Sequence, residues 1–213
     1  MPNTQPQPTF NVEDPQRAKG TSNKKKLFPP PSWGEPEGGS GGIRLGSLNT
    51  LRIARTAPQG VYLEGDATGD ILLPTRYVPE HAKVGDEVEV FLYLDQDARI
   101  IATTLRPHAM VGDFAYLQVS WVNNFGAFLD WGLMKDLFVP FREQKMRMQQ
   151  DRSYIVYVYI DEESYRIVGT AKVDRYLKNP DPDVYQKGDE VHLLIQQKTD
   201  LGFKAIVDNQ YTG

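Results

Sequence analysis

Aromatic side chains close to cations are the residues of this sequence whose types and spacing best suit a chemical task. Phe125 and Phe128 flank Gly126, and Trp131 follows in the same run. Rings placed in this way can stack on the bases of a nucleic acid. For Phe128 a place in a hydrophobic core is the alternative. Trp131 is either an exposed stacking surface or packing at a domain junction. We therefore predict a binding surface around these rings.

The connector that follows carries a cluster of cations. Arg142, Lys145, Arg147 and Arg152 lie close together in it. The stretch 107–178 holds nine Lys and Arg against nine Asp and Glu, which makes it the least acidic of the three repeats in a chain whose net charge is −4. We expect Arg142, Lys145 and Arg147 to contact phosphates, with a solvated basic loop as the alternative.

No arrangement of residues suggests catalysis or a metal site. His81, His108 and His192 are scattered, with no spacing that would put two of them on one metal or one beside a nucleophile. The chain has no cysteine, which excludes a thiol nucleophile and every cysteine-based metal site. The glycines do not open a helix after a strand, so a dinucleotide site is unsupported. The sequence predicts a protein that is not an enzyme and has no cofactor, metal or small-molecule substrate.

Short strands must hold the candidate residues in place. The stretches 86–95 (DEVEVFLYLD) and 154–161 (YIVYVYID) alternate in polarity and are rich in β-branched and aromatic residues. Long helical patterns are absent from the sequence. We therefore predict an all-β fold.

An internal repeat determines the domain organisation. At one constant offset, three residues recur in the same register: Gly60, Leu63 and Asp70 as Gly126, Leu129 and Asp136. Five short strands in each copy, with a connector between the third and the fourth, are typical of an OB-fold barrel. We predict tandem five-stranded OB-fold barrels at 43–106 and 107–178. A partial third repeat lies at 179–213, and we expect it to continue beyond Gly213 or to pack on its neighbour.

The first 42 residues differ in composition from the rest. They are rich in proline, glycine and polar residues and end in GGSGG at 38–42, which is typical of a flexible linker. We predict a disordered tail over 1–42. The start of the chain lacks the apolar stretch of a signal peptide, and no segment is apolar for long enough to span a membrane as a helix. We expect a cytoplasmic protein with no membrane partner.

The second repeat carries the most specific pattern. Residues 124–129 read NFGAFL and residues 136–140 read DLFVP, which resembles the S1 RNA-binding motif. The departure is Pro140, where that motif usually has a histidine. The resemblance implies that Phe125 and Phe128 face the RNA. It also implies that Asp161 and Arg166 match an acid and a basic residue that line the groove, although Asp161 is equally well explained as a turn former.

The first repeat keeps only part of this pattern. Its equivalents are Tyr62, Asp95 and Arg99, while Gln59 replaces one of the two phenylalanines. We expect weaker RNA binding by this unit, or a role as a spacer. Its remaining exposed candidates are Arg76 and Tyr77.

A wider resemblance covers residues from about 48 to 209. LPTRYVP at 73–79, EVFLYLD at 89–95, FLDWG at 128–132 and DLGFKA at 200–205 are similar to the conserved virulence factor B family of bacterial RNA-binding regulators with tandem S1 domains. The resemblance implies single-stranded RNA as the partner and a role in post-transcriptional or virulence-type regulation. The main alternative is an interaction module for ribosomal or regulatory proteins, and a more distant one is the targeting part of a nuclease.

Overall fold

The computed structural model describes residues 42–65, 69–181 and 183–213. All regular structure in these ranges is β-strand, apart from three short 3-10 helices. The predicted all-β fold is therefore confirmed. The predicted disordered tail lies, except for Gly42, outside the described residues. None of the helices in the described ranges is long and apolar enough to cross a membrane.

The first barrel encloses a hydrophobic cluster to which its strands contribute buried side chains. In its fourth strand Val88 and Val90 are buried while Glu87 and Glu89 are exposed. The strands close in the order β1-β2-β3-β5-β4, with β3 and β5 parallel at Leu72. Their bounds are β1 (Leu48–Ala57), β2 (Gly60–Leu63), β3 (Ile71–Pro74), β4 (Glu87–Leu94) and β5 (Ile100–Thr103).

The second barrel repeats this topology strand for strand. Its parallel pair is β8 and β10, which meet at Phe138 and Val168. A 3-10 helix, Phe141–Glu143, leads from β8 into the basic connector. Two closed five-stranded barrels confirm the predicted architecture. The bounds are β6 (Phe114–Val122), β7 (Gly126–Leu129), β8 (Leu137–Pro140), β9 (Ser153–Ile160) and β10 (Ile167–Thr170).

The third unit is an open sheet, as expected for a partial repeat. It consists of β11 (Leu193–Thr199), β12 (Gly202–Val207) and β13 (Tyr211–Thr212). Its buried Ile206 lies in one hydrophobic cluster with Phe114 and Val173 of the second unit. The backbone N–H of Phe114 donates to the side-chain oxygen of Asn209 at 2.7 Å. The third sheet therefore packs on its neighbour.

The two barrels share part of their cores. Phe91 and Tyr93 of β4 belong to the same hydrophobic cluster as Trp131, which follows β7. The rings of Phe91 and Trp131 meet edge to face at 5.7 Å, and Trp131 is only 3% exposed. Trp131 donates its indole N–H to the carbonyl of Lys135 at 2.6 Å. Of the two alternatives for Trp131, packing at the domain junction is therefore the one observed, and its assignment as an RNA contact is wrong.

A lysine links the barrels beside this contact. The Lys135 ammonium donates to the carbonyls of Leu94 at 3.0 Å and Asp95 at 3.2 Å, both at the end of β4. Burial, followed by the nearby charge of Arg166, lowers the pKa of Lys135 below its usual value.

Candidate functional site

A row of three aromatic rings crosses the outside of the second barrel. Trp121 lies opposite Phe128 in the β6–β7 ladder, and Phe128 lies opposite Phe138 in the β7–β8 ladder. The rings of Trp121 and Phe128 are stacked at 3.8 Å with an angle of 2°. The ring of Phe138 lies 4.9 Å from Phe128. We call these three residues the aromatic row.

A β-bulge turns Trp121 to the outside. Strict alternation would put Trp121 on the same side as Val119, which is fully buried. The pairing register shifts between these two residues, so that Trp121 faces outward and is 44% exposed. Its indole N–H donates to a carboxylate oxygen of Asp136 at 3.0 Å, which fixes the plane of the ring.

Trp121 and Phe138 are absent from the candidates that the sequence suggested. The signal that could have found Trp121 is the internal repeat. The equivalent strand of the first barrel has the same register shift, and Arg55 takes the place of Trp121 there. A long cationic side chain such as Arg55 indicates that this position of the strand faces solvent in both barrels.

Glycine at 126 lets the row pack closely. A Cβ added to Gly126 would lie 2.6 Å from a ring carbon of Phe138 and 2.4 Å from the carbonyl oxygen of Val139. Both distances are shorter than atoms can approach without displacement. Only glycine therefore allows the Phe138 ring to lie against β7.

The two predicted stacking residues occupy different settings. Phe125 lies at the β6–β7 turn and is 55% exposed. The side-chain oxygen of Asn123 accepts hydrogen bonds from the backbone N–H groups of Phe125 and Gly126, which holds the turn. Phe128 is half-buried, and Trp121 covers one face of its ring. Phe128 is therefore not part of the barrel interior, and its ring provides the surface on which the ring of Trp121 stacks.

The predicted phosphate contacts are engaged within the protein. Arg142 pairs with Asp161 at 2.9 Å, and the guanidinium of Arg147 lies 3.5 Å above the ring of Phe141. Lys145 pairs with Asp174. All three cationic side chains remain exposed. The connector that carries them begins next to Phe125, because the backbone N–H of Phe141 donates to the Phe125 carbonyl at 3.1 Å.

Asp174 also ties the third sheet to the second barrel. Its carboxylate accepts hydrogen bonds from Lys145 at 2.5 Å and Lys204 at 2.8 Å. These two bonds lower the pKa of Asp174 to about 2.

Asp161 and Arg166 lie at the β9–β10 turn, as the motif implies. The Asp161 carboxylate accepts hydrogen bonds from the backbone N–H and the hydroxyl of Ser164, in addition to its pair with Arg142. Asp161 therefore stabilises the β9–β10 turn through these hydrogen bonds, as expected of a turn former. Arg166 is exposed, and no acidic side chain of the described residues lies within ion-pair distance of it.

In the first barrel the equivalent ring is covered by a cation. The guanidinium of Arg55 lies 3.7 Å above the ring of Tyr62, and its Nε donates to Asp70 at 3.0 Å. The amide of Gln59 donates to the Tyr62 hydroxyl at 2.9 Å. Arg99 is paired with Asp95 at 2.9 Å in the β4–β5 turn.

The other two candidates of the first barrel, Arg76 and Tyr77, differ in their exposure to solvent. Tyr77 is buried, with 8% exposure, because the short helix Thr75–Tyr77 turns its ring into the hydrophobic cluster of this barrel. Its prediction as an exposed binding residue is wrong. Arg76 is exposed, and its guanidinium lies over that ring, 4.8 Å from the ring centre.

The described residues contain no cluster of three His, Asp or Glu side chains that could hold a metal ion. The site is built instead from stacked rings, a fixed carboxylate and exposed cations. Such a surface can bind flat, anionic partners.

Comparisons with known proteins find a family match for the first barrel. Residues 45–105 match the family model of the S1 domain. The uncharacterized protein YitL of Bacillus subtilis (strain 168) is 36% identical over 98 residues, which make up 46% of this chain and 33% of YitL. The matched region thus spans about a third of that relative.

A solved structure shares the fold over most of the chain. It is the crystal structure of a multidomain protein with nucleic acid binding domains from Streptococcus pneumoniae TIGR4. The TM-score is 0.53 at 18% identity, over 78% of this chain and 60% of that one.

Proposed function

We propose that this protein binds single-stranded nucleic acid, RNA above all, on the outer face of the second barrel. The observation that carries the proposal is the aromatic row beside the exposed Phe125. Stacking of a base on one such ring is worth about 1–3 kcal/mol and depends little on sequence. Arg142, Lys145 and Arg147 are exposed in the connector that begins beside Phe125, and we expect them to attract the phosphate backbone.

The comparisons support this proposal from two directions. The S1 match covers the first barrel, and the solved structure of similar fold is described as having nucleic acid binding domains. With the resemblance to conserved virulence factor B, they favour an RNA-binding regulator that acts in the cytoplasm after transcription. The net charge of −4 limits the number of phosphate contacts, so we expect modest affinity that depends on salt.

A titration with matched oligonucleotides tests the proposal. Fluorescence anisotropy would follow labelled single-stranded RNA, single-stranded DNA of the same sequence, and duplex RNA at two salt concentrations. We expect the single strands to bind more tightly than the duplex, and RNA more tightly than DNA. Equal binding of duplex and single strand would contradict stacking, because duplex bases are not available to the rings. Absence of binding at low salt would refute the proposal.

Protein binding is the second candidate function, and the third sheet favours it. Leu193, Ile195 and Phe203 are exposed there, because this sheet does not close into a barrel. Co-sedimentation with purified ribosomal subunits would test this candidate. Binding that Trp121→Ala leaves intact and that Leu193→Ser with Phe203→Ser abolishes would favour it over the RNA proposal.

A further inference from the structure

The same three-part arrangement occurs on the outside of both barrels. In each, a flat side chain after the bulge of the first strand stacks on a ring of the second strand. Each flat group also donates a hydrogen bond to an aspartate that lies just before the third strand. The three residues are Trp121, Phe128 and Asp136 in the second barrel, and Arg55, Tyr62 and Asp70 in the first.

The two arrangements share their geometry and differ in chemistry. The stacking distances are 3.8 Å for Trp121 on Phe128 and 3.7 Å for Arg55 on Tyr62. Each hydrogen bond to the aspartate is 3.0 Å long. The outward surface is an uncharged indole in one barrel and a guanidinium in the other.

The indole of Trp121 is held in a fixed orientation that suits stacking of a base. Its inner face rests on Phe128, and its N–H is held by Asp136, so the ring loses little freedom when a base stacks on it. Although Phe128 covers one face of the ring, Trp121 is still 44% exposed.

The guanidinium of Arg55 is held in a fixed orientation that suits binding of a phosphate. Stacking on Tyr62 and the bond from Nε to Asp70 fix its plane. Among the described residues no hydrogen bond uses its two terminal amino groups, and the side chain is 53% exposed. Terminal guanidinium N–H groups match the oxygens of a phosphate.

We propose that the two barrels offer different subsites to one single-stranded nucleic acid: Trp121 stacks on a base, and Arg55 binds a backbone phosphate. Asp136 and Asp70 are positioning residues that hold these two side chains flat. This assignment rests on the proposed function and adds a division of roles between the barrels.

Salt dependence separates the two roles. Trp121→Ala removes a stack and should weaken binding of single-stranded RNA about 5- to 150-fold, with an unchanged slope of log K against log salt. Arg55→Gln should lower affinity equally for all sequences and reduce that slope by about 0.7, because one phosphate contact is lost. Tyr116→Ala is the matched control, since this exposed tyrosine lies on β6 beside β9 and outside the aromatic row.

An exchange variant tests the shared geometry. Arg55→Trp places an indole where Asp70 can accept its N–H, so we expect tighter binding together with a smaller salt slope. Asp136→Leu should weaken binding. It should also reduce the quenching of tryptophan fluorescence by RNA in a Trp33→Phe background, in which the exposed Trp121 and the buried Trp131 are the remaining tryptophans. Asp136→Asn should restore both, because its side-chain oxygen still accepts the indole N–H.

The outcomes distinguish this assignment from the proposed function. If the unaltered protein binds RNA and Trp121→Ala binds as tightly while circular dichroism shows it folded, the assignment is overturned and the proposed function stands. An unchanged salt slope in Arg55→Gln would equally overturn the phosphate subsite. If the unaltered protein binds no oligonucleotide at low salt, both fail.

Discussion

Replacing Trp131 should destabilise both barrels at once. The ring is 3% exposed, packs edge to face on Phe91 of the first barrel, and donates to the Lys135 carbonyl in the second. Truncation of a buried Trp to Ala costs about 3–5 kcal/mol in a core that relaxes incompletely. Because the ring belongs to the junction, we expect Trp131→Ala to lower the free energy of unfolding by that amount and to split unfolding into two steps.

A smaller change separates packing from hydrogen bonding. Trp131→Phe keeps an aromatic ring and leaves the Lys135 carbonyl without its donor, which should cost about 1–3 kcal/mol. Urea unfolding followed by far-ultraviolet circular dichroism would measure both variants. A double-mutant cycle with Phe91→Leu should give a coupling energy of about 0.5–1.5 kcal/mol.

Two results would refute this reasoning. A loss below about 1 kcal/mol in Trp131→Ala would mean that the ring does not hold the junction together. A folded Trp131→Phe variant that no longer binds RNA would mean that the residue contacts the ligand after all, since its packing role predicts unchanged affinity.

Three further changes probe the exposed surface and the third sheet. Phe125→Ala should weaken single-stranded RNA binding by about 1–3 kcal/mol in the titration and leave the thermal midpoint unchanged; a large drop in the midpoint would show that the ring is structural. Gly126→Ala should destabilise the second barrel by about 1–3 kcal/mol in urea unfolding, because the new Cβ meets a backbone oxygen of β8 at 2.4 Å; unchanged stability would contradict that contact. Lys145 and Lys204 lower the pKa of Asp174 to about 2 from 3.8, so this carboxylate stabilises the fold above about pH 4 and loses that effect as the pH falls toward 2. Hydrogen exchange in β12, corrected for its intrinsic pH dependence, should therefore become faster in acid. In Asp174→Asn the corrected exchange rate should no longer change between about pH 4 and pH 2.

Local patterns in the sequence were enough to predict the architecture. Alternating apolar residues indicate strands because a strand has two faces, and β4 buries Val88 and Val90 as that alternation requires. Repetition in one register indicates two copies of one barrel, since the same local pattern closes in the same way. Phe125 was predicted as a stacking residue, and this residue is 55% exposed.

The directions of several side chains depended on contacts between distant parts of the chain. A bulge interrupts the alternation of β6, so Trp121 points outward although Val119 two residues earlier is buried. Trp131 is buried because the first barrel presents Phe91 to it, and Arg142 is held by Asp161 from another loop. Periodicity along the chain determines which segments become strands. The face that a residue presents also depends on register shifts and on neighbours far away in sequence, and these were fixed only when the barrels closed and packed together.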